Sequence, residues 1–580
     1  MEEVDELNKK DKGFFKDENN KALKKKKIII YLLIAFSILL LAGIITLIVL
    51  LTKKKNNEIF CQYISKEGKD EIKLINKEAI GNIDFDLIIN GKSTEKKFST
   101  TFENAGIQNI TFKFKDNLNT LSFLFLGIEN LIKVDLSKFN ALKINNISSM
   151  FDSCTLLEEI NFGDNTFENV IDMSRLFINC YSLKEIDFSK FNTKNVLNME
   201  RMFYNCEEIK SLDLSSFDTL NTEDISEMFL GCESLTSIDL SNFKTQKIED
   251  MGNLFSYCGL LNKIDLQNFN FENVVDMSFM FSFCDSLSEI NFGKSKTNNL
   301  ITIEGMFMEC FSLKSLNLEF LNTDKVEDMN NLFFNCVNLE NIDLTNFNTM
   351  NVEDMSQMFY NCTKLKKIDL SNFRTEKVID FHGQFYNCFS LQNLDLSSFN
   401  TLNGEDMDNM FYGCSSLTSI NINNFNTSQL IDVKYMFAEC KSLKEINLSP
   451  FKNSLDLVHT NGMFKNCKSL INLEFPFLES YNLVNIFEMF YGCEKLENLN
   501  LSYFNTINVY NMAKMFYGCN SLKLLDIRKF NTKHILSDEA FKDLFEGIKD
   551  SDSFTLIYNK DNTEEISKEI KNNWVKILTN

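Results

Sequence analysis

Sixteen cysteines and three histidines carry the most reactive side chains of this 580-residue chain, and the spacing of the cysteines is the first fact to explain. They fall at 154, 180 and 206 and on through Cys440 in steps of 26, then after one step of 27 at Cys467, Cys493 and Cys519, with Cys61 outside the series. A metal centre needs clustered ligands such as a C-x-x-C pair, and no such pair occurs, so neither a metal nor a cofactor is expected. Two readings of the column stay open. Neighbouring turns of a coil would bring the Cα atoms within disulfide range, although parallel side chains hold the Cβ atoms at about 4.8 Å, beyond the usual 3.5–4.5 Å. Alternatively each cysteine is a small buried filler, which Ile128, standing in the same column, favours.

His382, His459 and His534 have no partner set at motif spacing, and phosphate-loop, nucleophile-elbow and zinc-protease motifs are missing. No enzyme is expected. His382 replaces an ordinary polar residue of the repeat and should face solvent. The other chemistry-bearing pattern is acidic. Seven residues after the cysteine the chain carries Asp187, Asp213, Asp239, Asp265, Asp343, Asp369, Asp395 and Asp526, with Asn161, Asn291, Asn317, Asn421, Asn447 and Asn500 at the other positions and Glu474 as the exception. Such a ladder could merely solvate a sheet, or it could face a ligand: a basic protein or a glycan, with or without a bridging cation.

The elements that would position this ladder follow from the repeat. A fixed period in this range means a solenoid, because one unit cannot bury its apolar face alone. In Leu235-x-x-Ile238-x-Leu240 the alternation reads as one short strand, which turns Asp239 away from the core. A phenylalanine lies three residues before every cysteine of the column, as Phe229 does, and another lies eleven after most of them, as Phe243 does. These should stack into two continuous apolar rows. Asp224, Asp250 and Asp354 precede apolar runs and suit the N-caps of short helical or 3₁₀ turns. The expected fold is therefore an α/β solenoid of about sixteen turns, the first centred on Ile128.

The phrase D-M-S-x-M-F-x-x-C-x-x-L-x-x-I-D-L-S-x-F-x-T, over roughly Leu121 to Phe530, resembles the BspA-like leucine-rich-repeat surface proteins. Its L-x-x-I-D-L-S-x-F part is similar to the leucine-rich-repeat consensus, with Phe243 where Asn or Cys is usual. The resemblance implies a horseshoe with strands on one face, display at the cell surface, and adhesion. It supplies no active-site residues.

The ends differ from the repeat. Residues 1–27 read as a charged disordered tail. Ile28 to Leu51 gives 24 residues without a charge, long enough at ~1.5 Å per residue to span about 30 Å of hydrocarbon as a transmembrane helix. Six lysines (16, 21, 24–27) precede the run and four (53–55, 66) follow it, which favours a cytoplasmic N-terminus, a single pass through the plasma membrane, and repeats outside. Residues 52–120 read as a β-rich cap or membrane-proximal module, with a hairpin turn at Asn90-Gly91. The solenoid is expected over 121–535, and a C-terminal cap over 536–580 with an amphipathic helix from Thr563 to Leu578. The 27-residue step, with Pro450 and Pro476 near it, reads as a loop insertion, or as a kink or ligand notch.

Charge narrows the partners. The chain carries −21 overall; residues 1–55, with 12 lysines and 7 acids, are net +5, leaving −26 on the remainder, which argues against nucleic acid. Sequons at Asn109, Asn146, Asn361, Asn426, Asn447 and Asn500 add weak support for a secretory route. Two function classes follow: a membrane-anchored surface protein binding a protein or glycan through its repeat face, or a membrane-tethered intracellular scaffold recruiting a protein partner through the same repeats.

Overall fold

The computed structural model describes residues 57–66, 71–474, 481–535, 537–549 and 553–579, together with Phe36 and Leu40. The expected span from Ile28 to Leu51 lies outside these residues apart from Phe36 and Leu40, both helical. Among the described residues no helix is long and apolar enough to cross a membrane.

From residue 57 the described chain forms antiparallel strands β1 (Glu58–Ser65), β2 (Glu71–Lys73), β3 (Phe85–Ile89), β4 (Lys92–Thr94), β5 (Ser99–Thr101) and β6 (Gly106–Phe114). Asn90 and Gly91, with φ of 49° and 79°, make the hairpin between β3 and β4, a turn that requires two left-handed residues. Strand β7 (Leu131–Asp135) belongs to the first repeat, and β1 pairs with it antiparallel, placing Cys61 opposite Val134. The sheet order β4-β3-β6-β1-β7 then continues into the parallel strands Glu159–Asn161 and Glu185–Ile186. An open solenoid edge would expose unpaired backbone groups; β1 covers that edge.

From there the chain is a β-solenoid of about 15 turns. Parallel partners lie 26 residues apart, as in Leu212 with Ile238 and Leu394 with Ile420. Inside, one phenylalanine row is unbroken: Phe125 on Phe151 (5.7 Å, 5°), Phe333 on Phe359 (5.6 Å, 16°), and so on to Phe516 on Phe545 (5.7 Å, 6°). Trp574 stands edge-on against Phe545 at 5.6 Å and 87°, closing the row. The second row is interrupted rather than continuous. Where Ser295 and Leu321 replace phenylalanine, Phe271, Phe292 and Phe320 fill the space instead, Phe292 lying 3.9 Å from Phe320.

The side opposite the strands differs from expectation. In place of helical or 3₁₀ turns it has chained turns with two left-handed residues per repeat, such as Arg201 (φ 53°) and Asn205 (φ 55°). Each left-handed residue reorients its peptide, so alternate N–H groups point along the array. Arg201, Phe203 and Asn205 donate to the carbonyls of Ser226, Met228 and Leu230, while Met202 and Cys206 donate back to Met199 and Phe203. A helix would keep every bond within its own turn; this segment ties neighbouring turns together. Just before it, parallel bridges link Asp172 to Asn198, Asp328 to Asp354 and Asp354 to Asp380, a second ladder. The aspartates close Asx turns rather than cap the helical turns expected of them, Asp224 Oδ1 accepting the Ser226 N–H at 2.9 Å.

The 27-residue step is absorbed in a 3₁₀ turn, Ser449–Asn453. Ser454 takes the buried place of the usual threonine and donates to Thr427 Oγ1 at 2.7 Å. Phe437 and Phe464 still stack across the step at 5.4 Å and 10°. Pro476 lies outside the described residues. The C-terminus also departs from expectation. Glu565–Glu569 is 3₁₀, and Val575–Thr579 is a strand paired parallel with Thr555–Asn559. The unpaired edge of Thr555–Asn559 offers backbone partners that an amphipathic helix would leave empty. Trp574 and Ile566 are buried, but Ile577 is 46% exposed, so the helical spacing does not define one buried face.

Candidate ligand-binding faces

On the strand side, Asp187, Asp213, Asp239, Asp265, Asp343, Asp369 and Asp395 are exposed in one line. Asp213, Asp239, Asp265 and Asp395 end their strands, Asp187 follows one, and Asp343 and Asp369 hold the same place in turns without an assigned strand. Each accepts the N–H two residues on, as in Ser189 to Asp187 at 2.8 Å, Ser241 to Asp239 at 2.9 Å and Thr345 to Asp343 at 3.0 Å. This Asx turn bends the chain out of the strand. The hydroxyls of Ser189 and Ser215, with the backbone N–H groups, hold Asp187 and Asp213 below the usual carboxylate range. The N–H groups of Thr345, Ser371 and Ser397, with the hydroxyls second, do the same for Asp343, Asp369 and Asp395. Asparagines interrupt the charge, Asn291 and Asn421 each donating at 2.9 Å to Asp265 and Asp395. Two runs of adjacent carboxylates remain, 187–265 and 343–395. Over the first lies a shallow depression of about 430 Å³ lined by Asp213, Asp239, Asp265 and Gln267. Asp526 is different: it is 5% exposed and holds Arg528 at 3.0 Å.

The cysteine column faces inward. All sixteen thiols are free and buried. Cys154 Sγ donates to the Phe125 carbonyl at 3.1 Å and Cys232 Sγ to that of Phe203 at 3.3 Å, and the same bond recurs to Cys519. Burial pushes the thiols up, to about 12 at Cys232.

The turn side carries a cluster that the sequence reading missed. His382 is not simply solvent-facing: its Nδ1 contacts Asp408 Oδ1, one turn away. Lys434 Nζ, on the following turn, lies 3.2 Å from Asp408 and 3.0 Å from Asp432. Burial, with the charges of Asp408 and Asp432, pushes Asp406 up to about 7. Burial would also raise Asp408, but the bond to His382 and the charge of Lys434 win and hold it low. His382, Asp406 and Asp408 bring one donor atom each within 4.8 Å of one another. The signal was available in the repeat: six residues before the cysteine, only His382, Asp408 and Lys434 put ionisable side chains on three successive turns.

Comparison with known proteins gives one family. The family described as "Mycoplasma protein of unknown function, DUF285" matches residues 95–213, 119–238, 197–319, 284–393, 366–474 and 458–573. No curated protein matches. Among solved structures, a leucine-rich cell surface protein of Faecalibacterium prausnitzii is 17% identical, covering 53% of this chain and 88% of its own, with a TM-score of 0.29. A leucine-rich-repeat protein of Eubacterium ventriosum is 16% identical, covering 62% of this chain and 82% of its own, with a TM-score of 0.26. At such scores neither likeness carries an argument about fold or function.

Proposed function

From the premise that the chain belongs to the DUF285 family, whose description names no activity, we propose that it is a binding module displayed at the cell surface. It is anchored through the apolar run Ile28–Leu51 and adheres to a protein or glycan through its strand face. One observation carries the reading: the runs 187–265 and 343–395 line up one exposed carboxylate per turn, several of them held low in pKa by their own Asx turns. A carboxylate fixed by the backbone N–H of its own turn loses little side-chain freedom when it binds, and that favours affinity. The acidic line selects for basic or cation-bridged ligands. The reading assigns no catalysis to the chain.

The sixteen free thiols favour a second reading, an intracellular scaffold tethered to the membrane, since such thiols persist in a reducing compartment. Protease digestion of intact cells separates the two. Loss of the repeat domain without permeabilisation supports surface display. Complete protection until the cells are opened transfers the function to the scaffold.

A further inference from the structure

The turn ending at Cys388 departs from the repeat in several columns at once. Where the commonest residue at each position gives Asp-Met-x-x-Met-Phe, this turn reads Asp380-Phe381-His382-Gly383-Gln384-Phe385. Phe381 needs more room than the usual methionine, and Gly404 provides it. A Cβ on Gly404 would stand 3.1 Å from the Phe381 ring, in a column otherwise filled mainly by Val, Ile and Leu. The core under His382 is thus reshaped and still close-packed, and it sets the backbone on which the imidazole stands.

Stacking does the rest. His382 and Asp408 occupy the same column on successive turns, and Asp406 lies two residues before Asp408. Bridges from Asp380 to Asp406 and from Asp406 to Asp432 fix the spacing. The Asp408 N–H donates to Asp406 Oδ1 at 2.8 Å, locking the two carboxylates side by side. Asp408 is only 5% exposed at its side chain, whereas His382 is 34% exposed, so the cluster has a buried floor and an open mouth. Four carboxyl groups, Asp380, Asp406, Asp408 and Asp432, gather here around two cation-forming side chains, His382 and Lys434.

We propose that His382, Asp406 and Asp408 bind one divalent transition-metal ion of the zinc class, on the turn side of the solenoid and away from the strand-face ligand. One imidazole nitrogen with two carboxylate oxygens suits zinc, manganese or ferrous iron; calcium, which takes six to eight oxygens, has no use for the nitrogen. Metal–ligand bonds of about 2.0–2.2 Å would draw the three donor atoms, now within 4.8 Å, slightly closer. The metal replaces the contact between His382 and Asp408, while Lys434 keeps its pairing with Asp432. Coordination positions at the open mouth are left for water or for a donor from a partner.

The test is titration of the purified, metal-stripped full chain with Zn(II), read by competition with a chromophoric chelator, and with Co(II), read by its visible spectrum. One equivalent with N/O-type cobalt bands is expected. Even outer-shell partners are worth roughly 10–100-fold in affinity, so His382→Gln and Asp408→Asn should each weaken binding by at least about tenfold, with the circular dichroism unchanged. His459→Gln should bind as the parent does. Lys434→Ala should bind more tightly, because a competing cation is gone. Binding of less than half an equivalent, equal affinity in the His382→Gln chain, or sulfur-to-cobalt charge-transfer bands from the cysteine column would each overturn the proposal.

Discussion

Each thiol of the cysteine column adds what the isoleucine at 128 cannot: a second donor to a phenylalanine carbonyl of the preceding turn, which already accepts the backbone N–H three residues on. The carbonyl stays paired without the thiol, so cysteine here is chiefly a small buried filler. Alkylation of the denatured, unreduced protein should therefore label most of the sixteen cysteines; labelling of one or none would contradict this account. A second residue-scale prediction concerns Gly404 and Phe381. Gly404→Val drives a branched side chain into the Phe381 ring and should cost about 1–3 kcal/mol. Adding Phe381→Met, which restores both usual residues, should recover most of that loss in denaturant melts. Additive losses in the double variant would mean that the two positions are not coupled.

At the scale of elements, the phenylalanine row is the spine. Phe333→Ala removes a ring flanked at 5.7 and 5.6 Å by Phe307 and Phe359 and should cost about 3–5 kcal/mol. Because coupling in a solenoid runs between neighbours, it should also split the array into two separately melting halves. Phe516→Ala, close to the Trp574 cap, should melt mainly the last turns. Calorimetry showing one cooperative transition with equal losses at both sites would refute the spine. Elements of this kind were legible in the sequence because every turn repeats the same burial problem with the same residues: Phe229, Leu235, Ile238 and Leu240 declare a ring row and a strand. The turn side was not, because an apolar run after an aspartate suits a helix as well as a chain of left-handed turns. A signal did exist. The residue just before the cysteine is asparagine or glycine in ten of the fifteen turns, among them Asn179, Asn205, Gly231 and Gly413, and these tolerate positive φ where others resist it. The C-terminal strand was hidden for another reason: Val575–Thr579 is ordered by the edge it joins, a contact no local pattern announces.

For the whole molecule, the acidic ladder of the strand side was legible as a column, but its structural task was not. Every exposed aspartate there also caps its own turn. That dual role sharpens the test. Asparagine keeps the cap, since its Oδ1 accepts the same N–H, and removes only the charge. Stability should hold when Asp343, Asp369 and Asp395 are replaced together by Asn, leaving binding as the quantity that moves. The matched control replaces Glu327, Glu353 and Glu376 by Gln, exposed acids on the bend that leads to the second ladder. The decisive measurement is adhesion of intact cells displaying each variant to a basic or cation-bridged surface, over a range of salt. The strand-face account predicts that the aspartate set lowers adhesion and flattens its salt dependence, while the glutamate set leaves both as they were. Unchanged adhesion in the aspartate set, or equal loss in the two sets, would contradict it.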